Sequence, residues 1–229
     1  MNFAEVREEL GKYAEADFAA FSGKIICTQY PMMGVRTPKL REISKKTTRE
    51  YLESEPKYYE EVVMHGLTLG AAALTAEELF GGVERFLSFT DNWGAVDICT
   101  SSMKAFKKDK ENCFAKIKEM LFDKREFHAR FAAVAMLDFY MDEQHIDEIL
   151  ELYSRVESGR YYVDMAVAWG LSVAAVKFYG KTTDMIEKGA YGDFVTKKAL
   201  SKCMDSFRIT PEQKEHIRSL RKRLQSKNR

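Results

Sequence analysis

Much of the usual machinery of an enzyme is missing from this sequence. Its four cysteines, Cys27, Cys99, Cys113 and Cys203, are widely spaced and form no C-x-x-C pair, which reads as scattered buried thiols rather than a disulfide framework. The four histidines, His65, His128, His145 and His216, are equally dispersed. With neither H-E-x-x-H nor a Cys/His cluster, no zinc or iron site and no other cofactor are expected. Neither G-x-x-x-x-G-K-[ST] nor G-x-G-x-x-G occurs, which argues against a nucleotide-binding enzyme. Only 4 prolines and 13 glycines stand among 229 residues, a scarcity that favours helices over a turn-rich β architecture. No window reaches the roughly 18 to 20 apolar residues of a membrane span. The first ten residues are charged and lack the apolar stretch of a secretory signal, so the expected location is the cytoplasm. Any chemistry has to come from ordinary side chains.

What is present is a helix-forming chain. Hydrophobic residues make up 45% and charged residues 31%, enough for a sizeable core under a well-solvated surface. Apolar periodicity and start signals predict helices over about 2–21, 58–72, 76–88, 92–107, 110–122, 125–140, 143–156, 160–178, 183–189, 192–204 and 211–225. Another begins after Gly34, with Thr37 as its cap and Pro38 at its first position. Thr75-Ala76-Glu77-Glu78 is a capping-box signature. No convincing strand pair appears. Helix hairpins in series over 1–229 predict one all-α domain, an α-solenoid of stacked antiparallel helix pairs (HEAT-like repeats) with a concave groove.

Charge is unevenly spread. Residues 181–229 carry 13 Lys and Arg against 6 Asp and Glu, a net of +7, while the whole chain is only +1. The basic end at about 211–229 suits either a polyanion or a solvated tail.

Three segments carry candidate chemistry. On the predicted helix 92–107, Val96, Cys99, Met103 and Phe106 form a core stripe, with Trp93 and Asp97 as i, i+4 neighbours on its flank. An indole beside a carboxylate suits a cationic ligand, although a packed tryptophan beside a first-turn acid shows the same pattern. Lys104 falls two turns beyond Asp97 on roughly the same face. On the helix 125–140, Arg130 abuts the stripe of Phe127, Phe131, Val134 and Ala135; it needs a phosphate or carboxylate, or else its head snorkels to water. Trp169 lies beside the core line Val163, Val167, Gly170 and Ala174. Arg130 follows Trp93 by 37 residues and Trp169 follows Arg130 by 39, close to a repeat length of about 40. Equivalent positions on successive repeats would line one concave surface. Lys104, Lys107, Lys108 and Lys110 are candidates for its rim, or simply a solvated face.

Four stretches, in order, resemble one known family: Gly34-Val35-Arg36-Thr37-Pro38, Asn92-Trp93-Gly94-Ala95-Val96-Asp97, Arg125 to Phe131, and Tyr161 to Trp169. The chain from about residue 20 to 205 is similar to the HEAT-like-repeat DNA alkylation repair glycosylases. The resemblance implies a catalytic and lesion-binding group of Trp93, Asp97, Arg130 and Trp169. It also implies hydrolytic release of cationic N3- and N7-alkylpurines from double-stranded DNA; no lysine stands out as a Schiff-base nucleophile, so a monofunctional hydrolase is expected, acting as a monomer without metal. Better-known members carry a second aromatic just before the first tryptophan and an acid just after it, where this chain has Asn92 and Gly94. The competing expectation is a non-catalytic HEAT-like module that binds DNA structures or a protein partner.

Overall fold

A computed structural model describes residues 1–227, and among these it contains thirteen α-helices and no strand. In chain order they are α1 (Phe3–Gly11), α2 (Ala16–Gly23), α3 (Thr37–Ser44), α4 (Tyr59–Ala71), α5 (Ala76–Phe89), α6 (Trp93–Thr100) and α7 (Lys110–Leu121). They continue with α8 (Glu126–Phe139), α9 (Ile146–Ser154), α10 (Tyr161–Lys177), α11 (Tyr179–Glu187), α12 (Asp193–Asp205) and α13 (Pro211–Lys227). Two 3₁₀ turns lie at Arg49–Glu53 and Lys104–Lys107. The helices form two compact units, one of Met1–Lys116 and one beginning at Ile117, with the division inside α7. Of the basic end expected at 211–229, residues 228 and 229 lie outside the described residues.

Unit 1 is built around α4, whose residues Tyr59 to Gly70 are all buried. It packs on α3, α5 and α6. Small residues let α4 and α6 approach closely: a Cβ at Gly66 would overlap the Cys99 side chain, and one at Gly70 would overlap Ser102. With Tyr59 over Gly94 at their starts, the two helices run in the same direction. The second helix, α5, connects them in reverse, beginning at the predicted capping box. Thr75 Oγ1 accepts from the Glu78 amide at 3.3 Å, and Glu78 accepts from the Thr75 amide at 3.0 Å. Together with Arg49, those bonds hold the Glu78 carboxyl down at about 2.

Unit 2 repeats the plan around α10, which packs on α8 and α12. The starts of α8 and α10 are bonded to each other, and the Tyr161 ring at the start of α10 meets Phe194 at the start of α12, with centroids 5.9 Å apart. These three helices are therefore parallel. Tyr153 of α9 donates to the Ala133 carbonyl of α8 at 2.8 Å, closing the hairpin behind them. Such hairpins in series are the build of a solenoid of helical repeats.

The repeat is shorter than the residue spacing suggested. Helices α6, α8, α10 and α12 start at 93, 126, 161 and 193, which is 33, 35 and 32 residues apart. Trp93 is the first residue of its helix, Arg130 the fifth and Trp169 the ninth. The three residues therefore do not hold equivalent positions in their own helices.

Other boundaries differ for local reasons. The predicted helix 2–21 breaks at 12–15, and the chain at Gly34 packs against the start of α2. Gly34 has φ +85°, and a Cβ there would strike the Glu15 carbonyl. Arg36, not Thr37, is the N-cap of α3; Thr37 is its first residue and makes no cap bond, leaving Pro38 second. The predicted helix 92–107 stops at Thr100, where a run of hydroxyls takes up the last carbonyls. Thr100 donates to Val96 at 2.8 Å, Ser101 to Ile98 at 3.2 Å and Ser102 to Cys99 at 2.6 Å, local bonds that compete with helix continuation. Met103 and Phe106 are buried all the same, from beyond the helix end. Lys104 is therefore on a 3₁₀ turn and not on the face of Asp97. Helix α11 starts at Tyr179 rather than 183, because Phe178 both closes α10 and opens α11.

Candidate functional site

In unit 1 the candidate residues stand at the head of α6. Trp93, Asp97 and Ile98 are the residues of that helix that keep some surface; Gly94, Ala95, Val96, Cys99 and Thr100 are buried. The i, i+4 spacing sets the indole and the carboxylate side by side. Asn92 begins the helix, its Oδ1 accepting from the Ala95 amide at 2.9 Å. Its amide nitrogen donates to Asp91, which also accepts from the Thr28 hydroxyl and the Gln29 amide, both at 2.7 Å. An aromatic at position 92 could not make that cap, and Asn92 is fully enclosed. The glycine that follows Trp93 has an equally local cause. A Cβ at Gly94 would lie 2.9 Å from Tyr59 Oη and 3.0 Å from Ile26 Cδ1.

Tyr59 is a neighbour that sequence reasoning missed, because a tyrosine at a helix start with core spacing carries no signal beyond packing. It is 6% exposed, and among the described residues its hydroxyl has no hydrogen-bond partner. Burial pushes the phenol well above its ordinary range, reinforced by the nearby Cys99, Glu60 and Asp97 groups. It is thus a protonated group close to the Asp97 carboxylate. Beside it, Glu60 is buried and accepts from the amides of Met33, Gly34 and Val35 at 2.9, 2.7 and 3.2 Å. That carboxylate anchors the Gly34-Val35-Arg36-Thr37-Pro38 stretch to α4 and gives the stretch a structural purpose.

In unit 2, Arg130 does not snorkel. It is 5% exposed, and its Nη1 donates to the Tyr162 carbonyl at 2.6 Å. The amide of the same Tyr162 donates to Glu126 Oε1 at 2.8 Å, so one turn of α8 grips both ends of one residue at the start of α10. A row of rings accompanies this grip: Phe127 to Tyr162 at 5.4 Å, Tyr162 to Tyr161 at 5.2 Å, and Tyr161 to Phe194 at 5.9 Å. Tyr161 and Phe194 are exposed. Trp169, two turns along α10, is partly exposed and forms a wall of a cleft of about 510 Å³. Lys104, Lys107 and Lys108 are exposed in unit 1. Among the described residues no three His, Cys, Asp or Glu side chains are grouped to hold a metal ion, and no helix is long and apolar enough to cross a membrane.

The whole-chain comparison agrees with the motifs. The family model for DNA alkylation repair enzymes matches residues 6–205. This chain belongs to the DNA alkylation repair enzyme family. No curated protein matches it.

Proposed function

We propose that this protein is a monofunctional DNA glycosylase that hydrolyses the N-glycosidic bond of N3- and N7-alkylated purines in double-stranded DNA. The observation that carries the reading is the Trp93–Asp97 pair, an indole and a carboxylate side by side on the surface strip of an otherwise buried helix. Alkylation at N3 or N7 makes the purine a cation and a better leaving group. As the C1′–N9 bond breaks, its electron pair goes to the base, which departs neutral, and positive charge moves to the deoxyribose. A water adds to C1′ and loses a proton. The indole face at Trp93 favours the cation through its quadrupole. Asp97 stabilises the developing oxocarbenium and orients the water, a contribution that grows toward the transition state. The burial of Arg130 supports a positioning role, fixing the start of the helix that carries Trp169 and meeting a phosphate only at its small exposed edge. Lys104, Lys107 and Lys108 are assigned to phosphate contact, which sets register without reading sequence. No lysine acts as a Schiff-base nucleophile in this scheme, so the strand is left intact.

Asp97→Asn is expected to slow release of 7-methylguanine from methylated duplex DNA by roughly 100-fold or more, with the melting temperature little changed. Unchanged release in that variant removes Asp97 from the mechanism. A wild-type protein that binds DNA but releases no purine overturns the glycosylase in favour of a binding module.

A further inference from the structure

The least buried large apolar side chain of the described residues is Phe207, fully exposed in the turn between α12 and α13. It is held there rather than left loose. Cys203 on one side and Ile209 on the other are buried. Within the turn the Ser206 amide donates to the Cys203 carbonyl at 3.2 Å, and the Arg208 amide donates to Ser206 Oγ at 3.2 Å. A reciprocal pair between Thr210 and Gln213, at 3.0 and 3.3 Å, then starts α13. The backbone that carries the ring is thus ordered by its own bonds, so the turn itself loses little freedom when something closes over it.

Phe207 forms the lip of the cleft whose wall is Trp169. Around that cleft stand three cations, Lys177, Lys202 and Arg208, against one acid, Asp205. The Lys177 ammonium donates to the Met141 carbonyl at 3.0 Å, which fixes its charge on the rim. Lysine is depleted from the centres of protein–protein interfaces. Two lysines and an arginine around two aromatic side chains instead match a polyanion with flat, stackable groups. The excess of cations in residues 181–229 has the same sign.

We propose that Phe207 is a wedge that enters the minor groove of duplex DNA between base steps, with Lys202 and Arg208 on the flanking phosphates. The proposal rests on DNA being the partner, as in the function above, but not on glycosidic chemistry. An inserted ring unstacks a step and lets the bent duplex cover more protein surface. Its contribution is apolar and insensitive to salt, whereas phosphate contacts release counterions and are salt-dependent.

The test is binding of the full chain to a fluorescently labelled, undamaged duplex across a salt series. Phe207→Ala is expected to bind about 10-fold more weakly, the loss of one well-buried apolar side chain, with the slope of log Kd against log salt unchanged. Phe207→Trp is expected to regain most of that loss. Lys202→Ser combined with Arg208→Ser is expected to make the slope shallower by about 2. The melting temperature of Phe207→Ala should equal that of the wild type, since the ring is exposed. Wild-type affinity in Phe207→Ala overturns the wedge, and so does a Phe207-dependent preference for single-stranded over duplex DNA, which would make the ring a stacking platform. If the wild type releases no alkylpurine while Phe207→Ala still weakens duplex binding, the glycosylase reading fails and the wedge stands. If release and Asp97 dependence are normal and Phe207→Ala binds and turns over like the wild type, the wedge alone fails.

Discussion

The two units place their candidate residues by different means. In unit 1 the helix α4 meets α6 and the turn after it through missing side chains: Gly66 against Cys99, Gly70 against Ser102, and Gly94 against Tyr59. The position of Trp93 and Asp97 is set there by shape, with backbones drawn together until the next atom would clash. In unit 2 the helices α8 and α10 meet through directional bonds, Glu126 and Arg130 on the amide and carbonyl of Tyr162. Close-packed interiors do not yield to added volume, whereas a polar grip yields when its charge or geometry is altered. The first arrangement should therefore be fragile to a single methyl group, and the second to a change of side-chain chemistry at constant size.

The largest expected effect breaks the shape-set junction. Gly66→Ala places a methyl group on the Cys99 side chain, with Phe86 only 3.0 Å away, in the middle of a helix buried all round. The helix itself gains about 1 kcal/mol of propensity, but overpacking of this kind costs up to about 3 kcal/mol or more. A net loss of about 2 kcal/mol or more in chemical denaturation is expected, with alkylpurine release reduced alongside it. Stability equal to wild type would mean that α4 and α6 can part freely, and that the contrast between the units is false.

A second, smaller effect sharpens the contrast through pH. His65 lies in unit 1 between Tyr51 and Phe89, and burial, helped by the Arg85 charge, pushes it down to about 4. The folded protein thus holds this ring neutral while the unfolded chain protonates it near its ordinary value of about 6.5. Stability from the neutral ring is complete above that value and is lost as pH falls through the window from about 6.5 toward 4. At pH 5 the loss is on the order of 2 kcal/mol. His65→Gln should therefore show a shallower decline in stability between pH 7.5 and 5 than the wild type. Parallel declines would assign acid sensitivity to other groups.

The same contrast explains how far the sequence could be read. Helix identity, the Thr75 box and the Trp93–Asp97 adjacency follow from periodicities of three to four residues, which the backbone enforces locally. The early end of α6 does not, because its core stripe continues through Met103 and Phe106 after the hydroxyls of Thr100, Ser101 and Ser102 have ended the helix. That is why Lys104 left the face assigned to it. Tyr59, Glu60 and the carbonyl that receives Arg130 are tertiary partners, and no spacing announces them. Spacing of 37 and 39 residues could not reveal that the three residues stand first, fifth and ninth in their own helices. Phe207 was silent for the opposite reason: a lone aromatic in a turn has no period at all.

The smallest expected effect tests the polar grip without changing its shape. Glu126→Gln keeps an oxygen where Oε1 now accepts the Tyr162 amide at 2.8 Å, but it removes the negative charge from the first turn of α10. A bond to a charged acceptor is stronger than its neutral counterpart, and an anion at a helix start gains about 0.3 to 1 kcal/mol from the aligned peptide dipoles. The substitution should cost about 1 kcal/mol, and the difference from wild type should narrow at high salt, where that charge is screened. The Arg130 bond to the Tyr162 carbonyl is untouched, so the register of α8 against α10 should hold and Trp169 should stay where it is, with DNA affinity near that of wild type. A loss as large as that of Gly66→Ala, or a collapse of DNA binding, would mean that the charge of Glu126 does more than cap α10. The junction of unit 2 would then depend on electrostatics for its position as well as for its stability.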